Sequence, residues 1–236
     1  MITEAIILAG GMGTRLKESV PDLPKPMAPI AGKPFLYYVL DYLHQDGIKR
    51  AILSVGHLHE AISSFFGNSF KGMQLEYVIE AIPLGTGGAI KLALGKTKSP
   101  AVAVLNGDTF FPVPLREMYD FHRFNEADLT LALKPMQKFD RYGTVELEGE
   151  RVKAFKEKTY LEYGLINGGV YIARKNILSG NEWPEKFSFE KEFLEKKTNL
   201  LSFAGFTCDQ YFVDIGIPED YAKAERELPH WILYGK

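Results

Sequence analysis

Four short runs in the first half of the chain are apolar almost throughout: EAIILA (4–9), AILSVG (51–56), LEYVIE (75–80) and AVAVLNGD (101–108). A strand with one wet face alternates polar and apolar residues, whereas a near-continuous apolar run suits a strand covered on both faces. Between these runs the period lengthens. PFLYYVLDYLHQDG (34–47) places Phe35, Leu36, Val39 and Leu43 on one stripe with Gly47 as a stop, HEAISSFFG (59–67) carries Ile62, Phe65 and Phe66, and GGAIKLALG (87–95) is small and apolar. Strand, helix, strand in repetition predicts βαβ units and a mostly parallel sheet. After about residue 127 the rhythm changes to DLTLALKP, GTVELEGERVKAF with a turn at Glu148, Gly149 and Glu150, LINGGVYIA and YFVDIG. These read as strands of an inserted or appended mixed-sheet part, and IPEDYAKAEREL, opening on Pro218, reads as a terminal helix.

Composition narrows the class. With 236 residues, 46% hydrophobic and 25% charged, the chain is predicted to be one soluble α/β domain with a large core, not a disordered or disulfide-stapled one. A net charge of −2 argues against a nucleic-acid partner, which needs a positive excess against phosphates. The single cysteine, Cys208, cannot form an internal disulfide and fits a reducing compartment. No stretch approaches the ~20 apolar residues that span a bilayer, and MITEAIILAGG lacks a basic leader, so a cytoplasmic protein without a membrane partner is expected.

The segment that calls for chemistry is LAGGMGTRLKESVPDLPKPMAPIAGKP (8–34), directly after the first strand-like run. Gly10, Gly11 and Gly13 allow a tight turn whose backbone N–H groups face an anion. Leu16 stands where a dinucleotide-binding turn wants Gly or Ala, and no Gly-Lys-Ser/Thr follows at P-loop spacing. Arg15 offers a planar fork for phosphate oxygens, and Lys25, between Pro24 and Pro26, is a point charge on a stiffened backbone. Asp108 and Asp214 each end a strand-like run, where α/β sheets bind ligands, and two such carboxylates suit Mg²⁺. The alternative for each is a cap on the following turn. The histidines lack metal spacing: His57 and His59 read as surface residues, and His44, His122 and His230 sit among polar neighbours and need no special role.

LAGGMGTRL with PKPMAPIAGKP resembles the signature of the sugar-1-phosphate nucleotidyltransferases, and the likeness continues in order through PLGTGGAI (83–90), LNGD (105–108), NGGVYI (167–172) and VDIGIPEDY (213–221). Within that family the guanylyltransferases acting on heptose 1-phosphate are the nearest pattern. The resemblance implies a Rossmann-like three-layer α/β/α fold with a mostly parallel central mixed sheet and a small additional β-sheet part. It implies a nucleotide-binding half over about 1–126, a sugar-binding half over 127–236, and no C-terminal β-helix. It assigns nucleotide contacts to Leu8, Ala9, Gly10, Gly11, Gly13, Thr14, Arg15, Glu80, Gly85, Thr86 and Asp108, and catalytic charge to Arg15 and Lys25. Mg²⁺ falls to Asp108 and Asp214, and the sugar to Gly143, Glu157, Lys158 and Asn167, with Thr159 where the family carries a proline. The glycines of 85–88 are expected to lie against a base.

The implied reaction joins a sugar 1-phosphate to a nucleoside triphosphate, GTP being the best match, for bacterial surface-glycan synthesis. A phosphate dianion is already a nucleophile, which agrees with the lack of a Ser-His-Asp or Cys-His set. Mannose 1-phosphate or another base stays open at this point, as does a homo-oligomer. An NAD-dependent oxidoreductase and a non-catalytic nucleotide sensor are the more distant alternatives.

Overall fold

A computed structural model describes residues 1–11, 23–156, 158–180 and 182–231, and the backbone of 232–234. The strands are β1 (Glu4–Ala9), β2 (Pro29–Ile30), β3 (Lys33–Pro34), β4 (Arg50–Val55), β5 (Ser69–Phe70), β6 (Met73–Ile79), β7 (Ala101–Asn106) and β8 (Thr109–Phe110). They continue as β9 (Leu129–Phe139), β10 (Thr144–Glu148), β11 (Arg151–Lys156), β12 (Leu161–Arg174), β13 (Phe203–Thr207) and β14 (Val213–Asp214). The helices are α1 (Phe35–Gln45), α2 (His59–Phe66), α3 (Gly85–Leu94), α4 (Leu115–Phe124), the single turn α5 (Glu195–Lys197) and α6 (Pro218–Tyr234), which opens on the expected proline. Among the described residues no helix is long and apolar enough to cross a membrane.

Ten strands form one mixed sheet in the order β10-β11-β13-β9-β12-β7-β1-β4-β6-β5. β7, β1, β4 and β6 run parallel, and β12 crosses antiparallel between β7 and β9. Of the strands after residue 127, β9 to β13 therefore extend the first sheet, and β14 pairs outside it. The smaller sheets are the pairs β14-β8 and β2-β3.

Alternation of side chains explains why the apolar runs are unbroken. Ala5, Ile7 and Ala9 of β1 face one core with Phe35 and Val39 of α1, Ile62 of α2, Met118 of α4 and Leu228 of α6. Ile6 of the same strand faces a second core with Ile90 of α3 and the ring cluster Phe187, Phe189 and Phe193. Period two sends successive residues to opposite faces, and here both faces are dry. The result is three layers. α4 was not legible, since Arg116, Glu117, Asp120 and Arg123 interrupt its apolar stripe of Leu115 and Met118. The π-helical stretch Phe189–Leu194 also escaped the sequence pattern.

Chain order leaves β1 outward through β4 to β6 and then returns to β7 on the other side of β1. Such a reversal opens a crevice beyond the carboxyl ends of the two strands.

Candidate active site

A cavity of about 430 Å³ lies in that crevice, and Leu8, Gly10, Gly11, Lys25, Glu80, Gly85, Thr86 and Asp108 all line it. Ala9 is buried beneath it, 2% exposed. Gly13, Thr14 and Arg15 lie outside the described residues, as does Glu157. Pro26, Ala89 and Asn106 line the same cavity without having been singled out. Asn106, two residues before Asp108 at the end of an apolar run, carried a signal that could have found it.

Lys25 opens a 3-10 turn, Lys25–Met27, whose Pro26 and Met27 are buried and whose N-cap is Pro24. This fixes the backbone and aims the ammonium inward. Its Nζ donates to Asp108 Oδ2 at 2.5 Å and stands 3.9 Å from Asp214 Oδ1. The two acids come from opposite halves of the chain. They meet because β14 pairs with β8, Asp214 opposite Thr109, and the Ile215 N–H donates to the Asp108 carbonyl.

Asp214 Oδ1 is buried and has no hydrogen-bond partner among the described residues. Burial, and then the charge of Asp108, push the Asp214 carboxyl up to about 6 against the pull of Lys25. Tyr142 stands in the same field: burial first, then Asp214 and Asp220, push its phenol up to about 12, so it stays a hydrogen-bond donor. Its ring packs edge-on to Phe212, centroids 5.9 Å apart.

At the other end of the cavity Glu80 is anchored by its own N–H to the Val55 carbonyl. Its Oε1 accepts from Ser54 Oγ at 3.0 Å and its Oε2 from the Leu84 N–H at 3.2 Å. A Cβ on Gly10 would sit 2.4 Å from Glu80 Oε1, so this glycine makes room for the carboxylate.

The glycines of 85–88 divide differently from the expectation. Gly85 lines the cavity with φ +70°, but a Cβ on Gly87 would strike the Phe187 ring at 2.2 Å and one on Gly88 the Glu185 carbonyl at 2.3 Å. Those two serve close packing of α3 against a distant segment, not the cavity. The Thr86 hydroxyl is likewise spent on protein contacts, donating to Glu190 at 2.7 Å and accepting from the Phe189 N–H at 2.8 Å.

Gly143, Lys158 and Asn167 do not line this cavity. Thr144 pairs with both Lys156 and Ile166, which places the start of β10, the end of β11 and the middle of β12 together. Asn167 sits at a register shift, donating to the Tyr171 hydroxyl at 2.8 Å and accepting from the Gly169 N–H at 3.2 Å. Lys158 is exposed beyond β11.

A glycine floor, a carboxylate at one end, and two acids sharing one ammonium at the other form a polar crevice whose described side chains carry more negative than positive charge. The family model for nucleotidyl transferases matches residues 4–230. The chain belongs to the nucleotidyltransferase family. Among its relatives, a D-glycero-α-D-manno-heptose 1-phosphate guanylyltransferase of Aneurinibacillus thermoaerophilus is 56% identical over 229 residues, 97% of this chain and all of that one. Its namesake in Campylobacter jejuni is 49% identical over 92% of this chain and 96% of that one. HddC from Yersinia pseudotuberculosis, solved in complex with GMP-PN, superposes with a TM-score of 0.85 at 37% identity, covering 96% of this nucleotidyltransferase and all of that chain. The fold expectation, an α/β sheet with smaller sheets beside it, agrees with this likeness.

Proposed function

We infer that the chain transfers a guanylyl group from GTP to D-glycero-α-D-manno-heptose 1-phosphate. A sugar-phosphate oxygen attacks the α-phosphorus of GTP, the bond from that phosphorus to the bridging oxygen breaks, and pyrophosphate leaves. The convergence of Lys25, Asp108 and Asp214 at one end of a cavity that holds Glu80 at the other carries this reading. The names of the two similar relatives, both heptose 1-phosphate guanylyltransferases, support the choice of base and sugar.

In this reading the amides of Gly10 and Gly11, with Gly13, Thr14 and Arg15, hold the triphosphate, with Leu8 and Ala9 supporting the turn. Lys25 stabilises charge on the α-phosphoryl group, where preorganised cations lower the barrier most. Glu80, Gly85 and Thr86 border the base. Gly143, Asn167 and Lys158, with Glu157, receive the sugar phosphate, and the chain divides at about residue 126 into a nucleotide half and a sugar half. The protein works in the cytoplasm.

Asp108 and Asp214 fit Mg²⁺: the donors are hard oxygens, and the buried Oδ1 of Asp214 has no hydrogen-bond partner among the described residues. When bound there, the ion supplies neutralisation of phosphate charge. The test crosses GTP, ATP, CTP, UTP and dTTP with heptose, mannose, glucose and N-acetylhexosamine 1-phosphates, reading pyrophosphate release. The highest kcat/KM belongs to GTP with the heptose; a higher value for another pair would overturn the specificity, and no release with any pair would overturn the reaction.

A further inference from the structure

We propose that Ser54 is a positioning residue for base selection: it holds the Glu80 carboxylate in the one orientation that reads guanine. This rests on the reading of Glu80 as the group that meets the base.

β4 reads RAILSV, and every one of its residues is buried. Ser54 is its only hydroxyl and is 0% exposed. Its register partners are Leu8 on β1 and Val78 on β6, while Leu8 is in turn opposite Asn106. These four residues form the last full row across the parallel strands. Leu8 and Asn106 line the cavity directly, whereas Ser54 does not. It reaches the cavity only through Glu80.

A buried hydroxyl costs free energy unless it is hydrogen-bonded, and between Leu8 and Val78 its partner is Glu80 Oε1 at 3.0 Å. The carboxylate is then held on both oxygens, by the Ser54 hydroxyl and by the Leu84 N–H, while Gly10 supplies the space for Oε1. Each oxygen keeps a further lone pair. An ionised carboxylate only accepts, so a fixed one selects a base edge that offers two adjacent donors. Guanine offers N1–H and the 2-amino group; adenine offers its 6-amino group beside an acceptor, and hypoxanthine lacks the 2-amino donor. Freed from Ser54, Glu80 would still accept but would no longer be aimed.

The experiment compares GTP, ITP and ATP with S54A, E80A and the double variant, following thermal unfolding of each. S54A is expected to raise KM for GTP about tenfold with kcat changed less than about twofold, the pattern of a lost ground-state contact. The preference for GTP over ITP should shrink by a similar factor, S54T should recover part of both, and adding S54A to E80A should change nothing further. An S54A enzyme with unaltered KM and unaltered GTP/ITP ratio, beside an impaired E80A, overturns the proposal and leaves the Glu80 reading standing. An equal S54A effect in the E80A background also overturns it, since Ser54 would then act as packing alone. An E80A enzyme that still prefers GTP as before overturns both. Should S54A not fold, S54C, of similar size but a weak donor, takes its place with the same expectations.

Discussion

The two ends of the parallel sheet handle charge in opposite ways. At the amino ends of β1 and β4, the Arg50 guanidinium donates to Glu4, to Glu76 in the middle of β6, and to the Lys96 carbonyl at 2.9 Å. Glu4 receives the Lys98 and Ser99 N–H groups as well. At the carboxyl ends, two acids share one lysine and a buried carboxylate oxygen has no hydrogen-bond partner among the described residues. The first arrangement pairs its charges internally, although the buried Arg50 Nε has no hydrogen-bond partner among the described residues; the second leaves a carboxylate oxygen that an arriving group could satisfy. Most of the paired charge lies at one end and the candidate site at the other, the trade expected where a site is held in a destabilised state.

Breaking each end should therefore give different losses. Lys25→Ala is expected to lower kcat about 10³-fold, roughly 4 kcal/mol of barrier, in steady-state assays of pyrophosphate release. An unchanged kcat would remove Lys25 from the chemistry. Arg50→Ala should instead cost about 3 kcal/mol of stability by leaving two carboxylates without their cation, lowering the unfolding midpoint by about 6–12 °C. Its kcat at a temperature where it is folded should match that of the unaltered enzyme; a matching loss of kcat would erase the contrast.

Acid should separate the ends further. Burial raises the Glu4 pKa, but the N–H groups of Ser99 and Lys98 and the Arg50 guanidinium outweigh it and bring the carboxyl to about 2 from 4.5. A lowered folded value means stability that is present above 4.5 and lost as pH falls through 2. Asp214, raised from 3.8 to about 6, works the other way: its ionised form costs stability above 6, and that cost is relieved as pH falls from 6 towards 3.8. Glu4→Gln should flatten the acid limb of a stability-against-pH curve between 4.5 and 2. Asp214→Asn should raise the unfolding midpoint at pH 7.5 while lowering activity, and should leave a steeper loss between 6 and 4. A lowered midpoint for Asp214→Asn would show that the acid pair is a structural element after all.

The smallest change is Gly10→Ala. The new Cβ would meet the flexible end of Glu80 rather than backbone, so the carboxylate moves off the buried Ser54 hydroxyl and stability falls by about 1 kcal/mol. KM for GTP should rise about fivefold at nearly constant kcat. A Gly10→Ala enzyme with the parent's KM would detach Glu80 from the base.

The first half of the fold was legible because burial on both faces writes itself into strands as unbroken apolar runs, and EAIILA and AVAVLN are such runs. The second half was half legible: strands such as FAGFT (203–207) are short and carry no alternation, and only pairing with β9 makes them strands. The acids and Lys25 could be picked out at strand ends and between prolines. Gly87 and Gly88 misled, because a glycine needed by a distant Phe187 looks in sequence like one needed by a ligand. Ser54 was invisible for a related reason: one hydroxyl in a buried strand has no meaning until Glu80 is seen beside it.

The pairing of Asp214 with Thr109 is only two residues long on each side, and it has a consequence for how the protein is made. During synthesis, the glycine floor, Lys25 and Asp108 emerge with the first half of the chain and can fold around β1, β4, β6 and β7. The second acid reaches them only when the last quarter of the chain has left the ribosome and docked. A prematurely ended chain would thus lack the second acid altogether, and a nascent one gains it only when β14 docks against β8.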